Sequence, residues 1–544
     1  MEIREHNVPA ANQFISDYLN KSMQLTKYFH YSPFEQSAFV ERAKELEHYS
    51  FPRKEVMEYL FRYNSALGAD ESTLQNIKML EDPNAMVVVG GQQAGILTGP
   101  VYTINKLITI LHQARQLQEK VNRPVLPIFW IAGEDHDFEE VNHIFTEKNE
   151  TIKKVPLPQK WRTKKSLSDG EIDKDACLQW VDEVFFYFGE TNLSKDIIQK
   201  VKTCVHESNT YVDFFARLVF LLFKDTGLIL MDSASKELRQ IEIPYFDSIV
   251  KNNAQIDQAL HKQQHKKSAE GYSNLIETES NTAHLFYHVN GDRVLLEYKL
   301  EDGIPYFEGK ARECRFSEVE LIEKIETEPH LFSNNVVTRP LMQEFLLPTL
   351  SFVAGPGEIS YWAELKEVFE AVDRKMPPVF PRLMSTIITR PVQREIEELN
   401  LQTDDVLQKG VNHNKQQFLR EIMDHEANDE ITLMKEVLRG SYEKLEVKAT
   451  SIHDSLKQIV RKNEELIHRQ LDFLEQEFHK QSERKHEITL KKYNRIQNLV
   501  KPNDYPQERM LNIFYFLNIY GFDLIPLMLE RTSSSEFTHK VIYI

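Results

Sequence analysis

Met86-Val87-Val88-Val89-Gly90-Gly91-Gln92-Gln93-Ala94-Gly95-Ile96-Leu97-Thr98-Gly99-Pro100 decides the fold. Four apolar residues, three of them β-branched, suit a buried strand. Four glycines within the next ten residues let the backbone turn sharply and come close to a ligand. Pro100 suits the first position of a helix, and Ile104, Leu107, Ile108, Leu111 and Ala114 follow with helical spacing. Open α/β sheets bind phosphate or carboxylate at such strand–loop–helix junctions, where free amides and the helix dipole converge. The loop is not a Walker loop, since Ile96 and Leu97 stand where Lys and Ser/Thr are required, and no G-x-G-x-x-G occurs. A turn serving only the fold also fits; the polar Gln92, Gln93 and Thr98 favour a ligand loop.

Four more strand-like runs follow. Pro124–Ile131 ends in Gly133-Glu134-Asp135-His136-Asp137, where Pro127 limits ladder pairing. A carboxylate beside an imidazole can act as general base and orienter, or simply cap the next helix; its spacing matches no zinc motif. Leu228–Met231 is a third strand. Leu350–Ala354 is a fourth and runs into Gly355-Pro356-Gly357-Glu358, with Tyr361 on the helix behind it. Val379-Phe380 is a fifth, followed by Pro381-Arg382-Leu383-Met384-Ser385-Thr386. Arg339, with Gln343, can hold a carboxylate bidentately or equally form a surface ion pair, and Arg382 can stabilise phosphate charge. Five strand–helix alternations describe a doubly wound α/β sheet, interrupted at about 140–200 and 255–330. Asn290-Gly291 marks a hairpin in the second insertion, because both turn positions need positive φ. Residues 1–80 read mainly as helices.

Between Pro391 and Pro502 there is no proline. Leu445, Ala449, Ile452, Leu456, Ile459, Asn463 and Leu466 form a heptad seam, with a bend between antiparallel helices expected at Gly440. The domains are therefore expected at 1–390, 391–502 (coiled coil, favouring a homodimer) and 503–544, the last packing back on the core. Lys480, Arg484, Lys485, Lys491, Lys492 and Arg495 read as a solvated helix face.

The 544 residues carry 66 Lys plus Arg against 83 Asp plus Glu, a net charge of −17. That balance argues against a nucleic-acid binder and against adhesion to anionic membranes. Cys177, Cys204 and Cys314 are too scattered for a disulfide framework or a clustered zinc site. No apolar h-region opens the chain and no apolar run reaches about 18 residues, so a cytoplasmic protein is expected.

Jointly, the motifs at 90–100, 133–137 and 355–358, with the helical segment in the carboxyl-terminal third, resemble the bacillithiol-biosynthesis cysteine-adding enzymes over nearly the whole length. The resemblance implies a Rossmann-like core with inserted connecting elements, a coiled coil associated with dimers, and joining of the L-cysteine carboxyl to the amine of glucosaminyl-malate. It implies assistance by a nucleotide, with ATP or ADP bound; a metal requirement is unspecified. The expected catalytic residues are His136 or Asp135, taking the amine proton, and Gln93. Substrate is expected on Gly91, Gln92, Thr98, Gly99, Asp137, Arg339, Glu358 and Tyr361, above the carboxyl ends of the first two strands. Nucleotide is expected on Arg382 and Ser385, although the His-x-Gly-His and Lys-Met-Ser-Lys-Ser motifs of class I synthetases are absent, Arg382–Thr386 sharing only Met-Ser with the latter. Two other readings stay open: a nucleotidyltransferase on another small acid, and a non-enzymatic coiled-coil adaptor.

Overall fold

A computed structural model describes residues 1–10, 12–161, 165–277, 279–532 and 537–544. Two compact units emerge: residues 1–148, 152–387 and 505–544 form the first, and 149–151 with 388–504 the second.

The first unit is built on a parallel five-stranded sheet: β1 (Met86–Gln92), β2 (Val125–Ile131), β3 (Ile229–Asp232), β4 (Thr349–Ala354) and β5 (Val379–Pro381). The spatial order is β5-β4-β1-β2-β3. This is the doubly wound arrangement, in which the strand order reverses between β1 and β4 and leaves a crevice outside their carboxyl ends. β1 to Gly90 and all of β2 are buried, as the near-continuous apolar runs of a two-sided parallel sheet require. Pairing of β2 with β3 begins at Ile128, just past Pro127. Gln92 is paired with Ile131, Ile131 with Asp232 and Ala354 with Pro381, so the loops after every strand open on one edge.

Helix α1 (Val101–Val121) follows β1, and the short α2 (Pro356–Trp362) follows β4. Amino-terminal helices bring Val56, Tyr59, Leu60 and Ile77 into one core with Val87, Val89, Leu126 and Ile128. The second insertion is a five-stranded antiparallel sheet over 282–334, and Asn290 and Gly291 both have positive φ at its hairpin turn. Strand Glu2–His6, unread in the sequence, pairs with His539–Tyr543 at the other end of the chain. Residues 505–544 thus fold within the first unit.

The second unit carries helices α3 (His425–Ile452) and α4 (Ser455–Lys485). Lys435 pairs with Glu475 and Glu446 with Arg461, so the two run antiparallel. Their turn lies at His453-Asp454, not at Gly440, which sits inside α3. The heptad seam is therefore folded in two: Leu445–Ile452 lie on one arm and Leu456–Leu466 on the other. Leu445, Ile452, Ile459 and Leu466 of that seam stay exposed, so it is not the face on which the two arms meet, and periodicity alone hides the break. Of the late basic run, Lys480, Lys491, Lys492 and Arg495 pair with Glu477, Glu487, Glu398 and Glu395.

Candidate active site

A cavity of about 710 Å³ lies at the strand-order reversal, within the size range of small-molecule sites. Gly91, Gln92 and Gln93 at the end of β1, Asp135 after β2, and Gly355–Glu358 after β4 all line it. The cavity thus lies over the carboxyl ends of the first two strands, as expected, and extends over that of β4. The inserted sheet adds Phe286 and Arg293.

Four arginines reach the lining: Arg293, Arg339, Arg382 and Arg509, against the carboxylates Asp135, Glu277 and Glu358. In a chain of net charge −17 this is a local reversal of sign. Arg339 bridges Glu134 and Asp135, both at 2.6 Å. Buried Glu134 is held in turn by Arg239 at 2.6 Å, and Arg239 by buried Glu242. Burial opposes ionisation of Glu134 and Asp135, but Arg339, with Arg239 at Glu134 and Arg293 at both, outweighs it, and both carboxyls lie below their ordinary range. Burial pulls Arg293 down to about 10 against Glu134 and Asp135, so it stays charged near neutrality. Its guanidinium stacks 3.8 Å over the Phe286 ring. Arg509 is exposed and makes no ion pair among the described residues.

Gln93 donates to Asp135 at 3.3 Å, so the first loop and the acid–imidazole turn meet. Glu358 accepts at one oxygen, Oε2, from the Gly355 amide at 2.7 Å and from Lys106 at 2.5 Å, while Oε1 has no partner among the described residues. Lys106 is fully buried and also donates to the Gly91 carbonyl at 2.5 Å and to Gln92 Oε1 at 3.1 Å. It thereby ties the end of β1 to the start of α2. Burial lowers its pKa despite the pull of Glu358. Tyr361 lines the cavity, and burial raises its phenol, which stays a donor.

Several expected roles are corrected. His136 lies outside the cavity lining, with its Nδ1 3.5 Å from Arg293. Asp135 is in the lining, but a carboxylate held ionised by two guanidiniums is a weak base, and it acts as an arginine anchor. Asp137 is exposed at the cap of Phe138–Val141, outside the lining. Thr98 is fully buried, and Gly99 lines a neighbouring, smaller cavity. One of the amides expected to stay bare is capped, since Val101 N–H donates to the Leu511 carbonyl, and Asn512 ties down the loop by donating to the carbonyls of Leu97 and Gly99; the rest of the helix start borders the smaller cavity. Arg382 is in the lining, but Glu508 grips it with two bonds, at 2.8 and 2.9 Å. Ser385 is buried, donating to Asn105 at 2.9 Å, and is not in the lining.

Lys106, Arg239, Arg293, Glu508 and Arg509 were missed. Lys106 did carry a signal: a lysine beside the apolar stripe, one turn into the helix after the glycine loop. The others come from segments whose proximity to this edge is set only by tertiary folding.

Fold and site define a Rossmann-like α/β domain with an arginine-lined small-molecule cavity at its switch point, in a chain that also carries a helical hairpin. Two family descriptions match: "Bacillithiol biosynthesis BshC, N-terminal Rossmann-like domain" over residues 1–383, and "Bacillithiol biosynthesis BshC, C-terminal coiled-coil domain" over 385–544. The chain belongs to the bacillithiol biosynthesis BshC family. It is 41% identical over 542 residues to a protein of Bacillus cytotoxicus named "Putative cysteine ligase BshC", and 40% identical to proteins of that name from Bacillus thuringiensis and Bacillus anthracis. Each match spans 100% of both chains.

Proposed function

We propose that this chain joins the carboxyl of L-cysteine to the amine of glucosaminyl-malate, forming an amide. The observation that carries this reading is the convergence of four arginines and one half-engaged carboxylate on a single switch-point cavity. Malate brings two carboxylates, which an arginine-rich lining attracts and orients. The amine needs an acceptor: Glu358 Oε1 is free while Oε2 is fixed by Lys106 and Gly355. Glu358 therefore takes the role that His136 and Asp135 are badly placed or badly charged to fill. Arg509, the arginine of the four with no ion pair, is the natural anchor for a substrate carboxylate. Supporting this substrate class, the relatives bear the name of cysteine ligases.

A free carboxylate does not acylate an amine in water unaided, so a nucleoside triphosphate is the expected co-substrate. Its binding place is not assigned, because Arg382 is bound by Glu508 and Ser385 by Asn105, and the cavity at the start of α1 is only about 170 Å³. The test is to incubate the purified chain with L-cysteine, glucosaminyl-malate and ATP, following bacillithiol by mass and ADP or AMP by chromatography. No product with both substrates bound would overturn the ligase reading.

The second unit is proposed to make a homodimer. Leu433, Val437, Leu445, Ile459, Phe473 and Phe478 stay exposed on the hairpin, a larger apolar face than isolated surface residues explain. Sedimentation equilibrium should give twice the chain mass of 63.9 kDa, reverting to one on Phe473→Glu with Phe478→Glu. A cytoplasmic location fits these substrates; no single helix among the described residues is long and apolar enough to cross a membrane.

A further inference from the structure

The smaller cavity, of about 170 Å³, adjoins the main one, and the two share Gln93, Tyr102 and Arg509 in their walls. It falls below the roughly 300–1,000 Å³ of ordinary ligand pockets, so it suits a small metabolite and not a nucleotide or an amino sugar. Gln93 stands in the partition, donating to Asp135 at 3.3 Å and to Glu140 at 3.2 Å. Glu140 lines the smaller cavity, and its second oxygen has no partner among the described residues. A carboxylate there disfavours phosphate and attracts an ammonium group.

The far side is apolar: Val141, Ile144, Phe145 and Met510. His143 completes it, with its Nδ1 3.1 Å from the Glu139 carbonyl. That nitrogen must be the donor, which leaves Nε2 as an acceptor. Burial and the Lys154 charge push this imidazole down to about 4, so it is neutral near pH 7. An aromatic ring, a thioether and an acceptor nitrogen suit a soft, weakly donating thiol better than a hydroxyl, whose desolvation costs more.

Resting on the ligase reading above, we infer that the smaller cavity seats the amino acid: the L-cysteine ammonium on Glu140, its thiol among Phe145, Met510 and His143, and its carboxyl at the shared wall beside Arg509. The main cavity is then left to glucosaminyl-malate. Two rooms joined at one wall bring the carboxyl and the amine together without either substrate occupying the other's place.

The test is calorimetry of the full chain with L-cysteine, L-serine and glucosaminyl-malate, each alone. Glu140→Gln, at an exposed position, should raise the cysteine Kd about tenfold, the loss of one charge-assisted bond. His143→Trp should fill the cavity and abolish cysteine binding. Both variants should hold the glucosaminyl-malate Kd within about twofold, which also certifies that they are folded. In the wild type, L-serine should bind at least about tenfold more weakly than L-cysteine. If Glu140→Gln binds cysteine like the wild type, or loses both substrates in parallel, the seating is wrong while the ligase reading stands. If the wild type binds neither substrate, the ligase reading falls and takes this one with it.

Discussion

The loops after β1 and β4 look alike in sequence: each ends a buried strand, carries glycines, and puts a proline at or next to the start of a helix. Folded, they differ. In the first, a Cβ on Gly95 would meet the Gly99 backbone at 2.7 Å, and Leu511 and Asn512 bond to the loop and the first helical amide. In the second, a Cβ on Gly357 would meet nothing within 4 Å, and the residue lines the main cavity. The apex of the first turn is packed against its own backbone, while the second stands open to the main cavity. Glycine content announces close approach of something, but whether that something is protein or ligand is decided by chain hundreds of residues away.

The largest expected effect tests the open loop. Glu358→Gln keeps the shape and an acceptor for Gly355 but removes the charge offered to the amine. Turnover should fall by about 10²–10³, the usual worth of a positioned acid or base, while far-ultraviolet circular dichroism is retained. Wild-type turnover in this variant would move the chemistry away from α2. The closed loop predicts the opposite phenotype: Gly95→Ala should cost about 3 kcal/mol of stability through overpacking against backbone, read from denaturant unfolding. An unperturbed unfolding midpoint would mean that the turn has room and that its closure is overstated.

The same contrast divides two carboxylates at neighbouring strand ends. Asp135 is held ionised by arginines. Asp232, at the end of β3, is buried and accepts from Ser168 at 2.9 Å and from the Ala234 amide at 3.0 Å, and burial pushes it up to about 6. Its folded value lies above the unfolded one near 3.9, so the native state binds the extra proton. The stabilisation is fully present below about pH 4 and is lost as pH rises through about 6. Asp232→Asn should therefore flatten the decline in unfolding free energy between pH 4 and pH 8, by on the order of 2–3 kcal/mol. Parallel pH profiles for variant and wild type would show that Asp232 does not titrate in this range.

The strands and their order of appearance were legible because a buried parallel strand needs a continuous apolar run, and Met86–Val89, Leu228–Met231 and Leu350–Ala354 supply one. Gln93 and Asp135 could be placed near one another because strand-end loops share an edge. His136 could not be placed, since the direction of a side chain in a turn depends on what packs over it, here Arg293 from an inserted hairpin. The cap on Val101 and the grip on Arg382 come from 508–512, about 400 residues further along the chain than α1, and no local pattern records them. The turn in the helical hairpin was hidden for a different reason: heptad spacing is the same whether a helix meets a partner or its own returning arm.

Gly357→Ala gives the smallest change in stability and the sharpest test of the comparison. Gly357 does not have positive φ, so alanine can adopt its backbone without strain. Its methyl would clash with no protein atom, and the helical position even favours alanine over glycine. Unfolding should shift by less than about 0.5 kcal/mol. The methyl would project into the space assigned to glucosaminyl-malate, whose Kd should rise about tenfold. L-cysteine, seated beyond Gln93, should bind as before. A methyl that weakens neither ligand would mean that the β4 loop does not touch the substrate, and that the cavity's working wall lies on the inserted sheet.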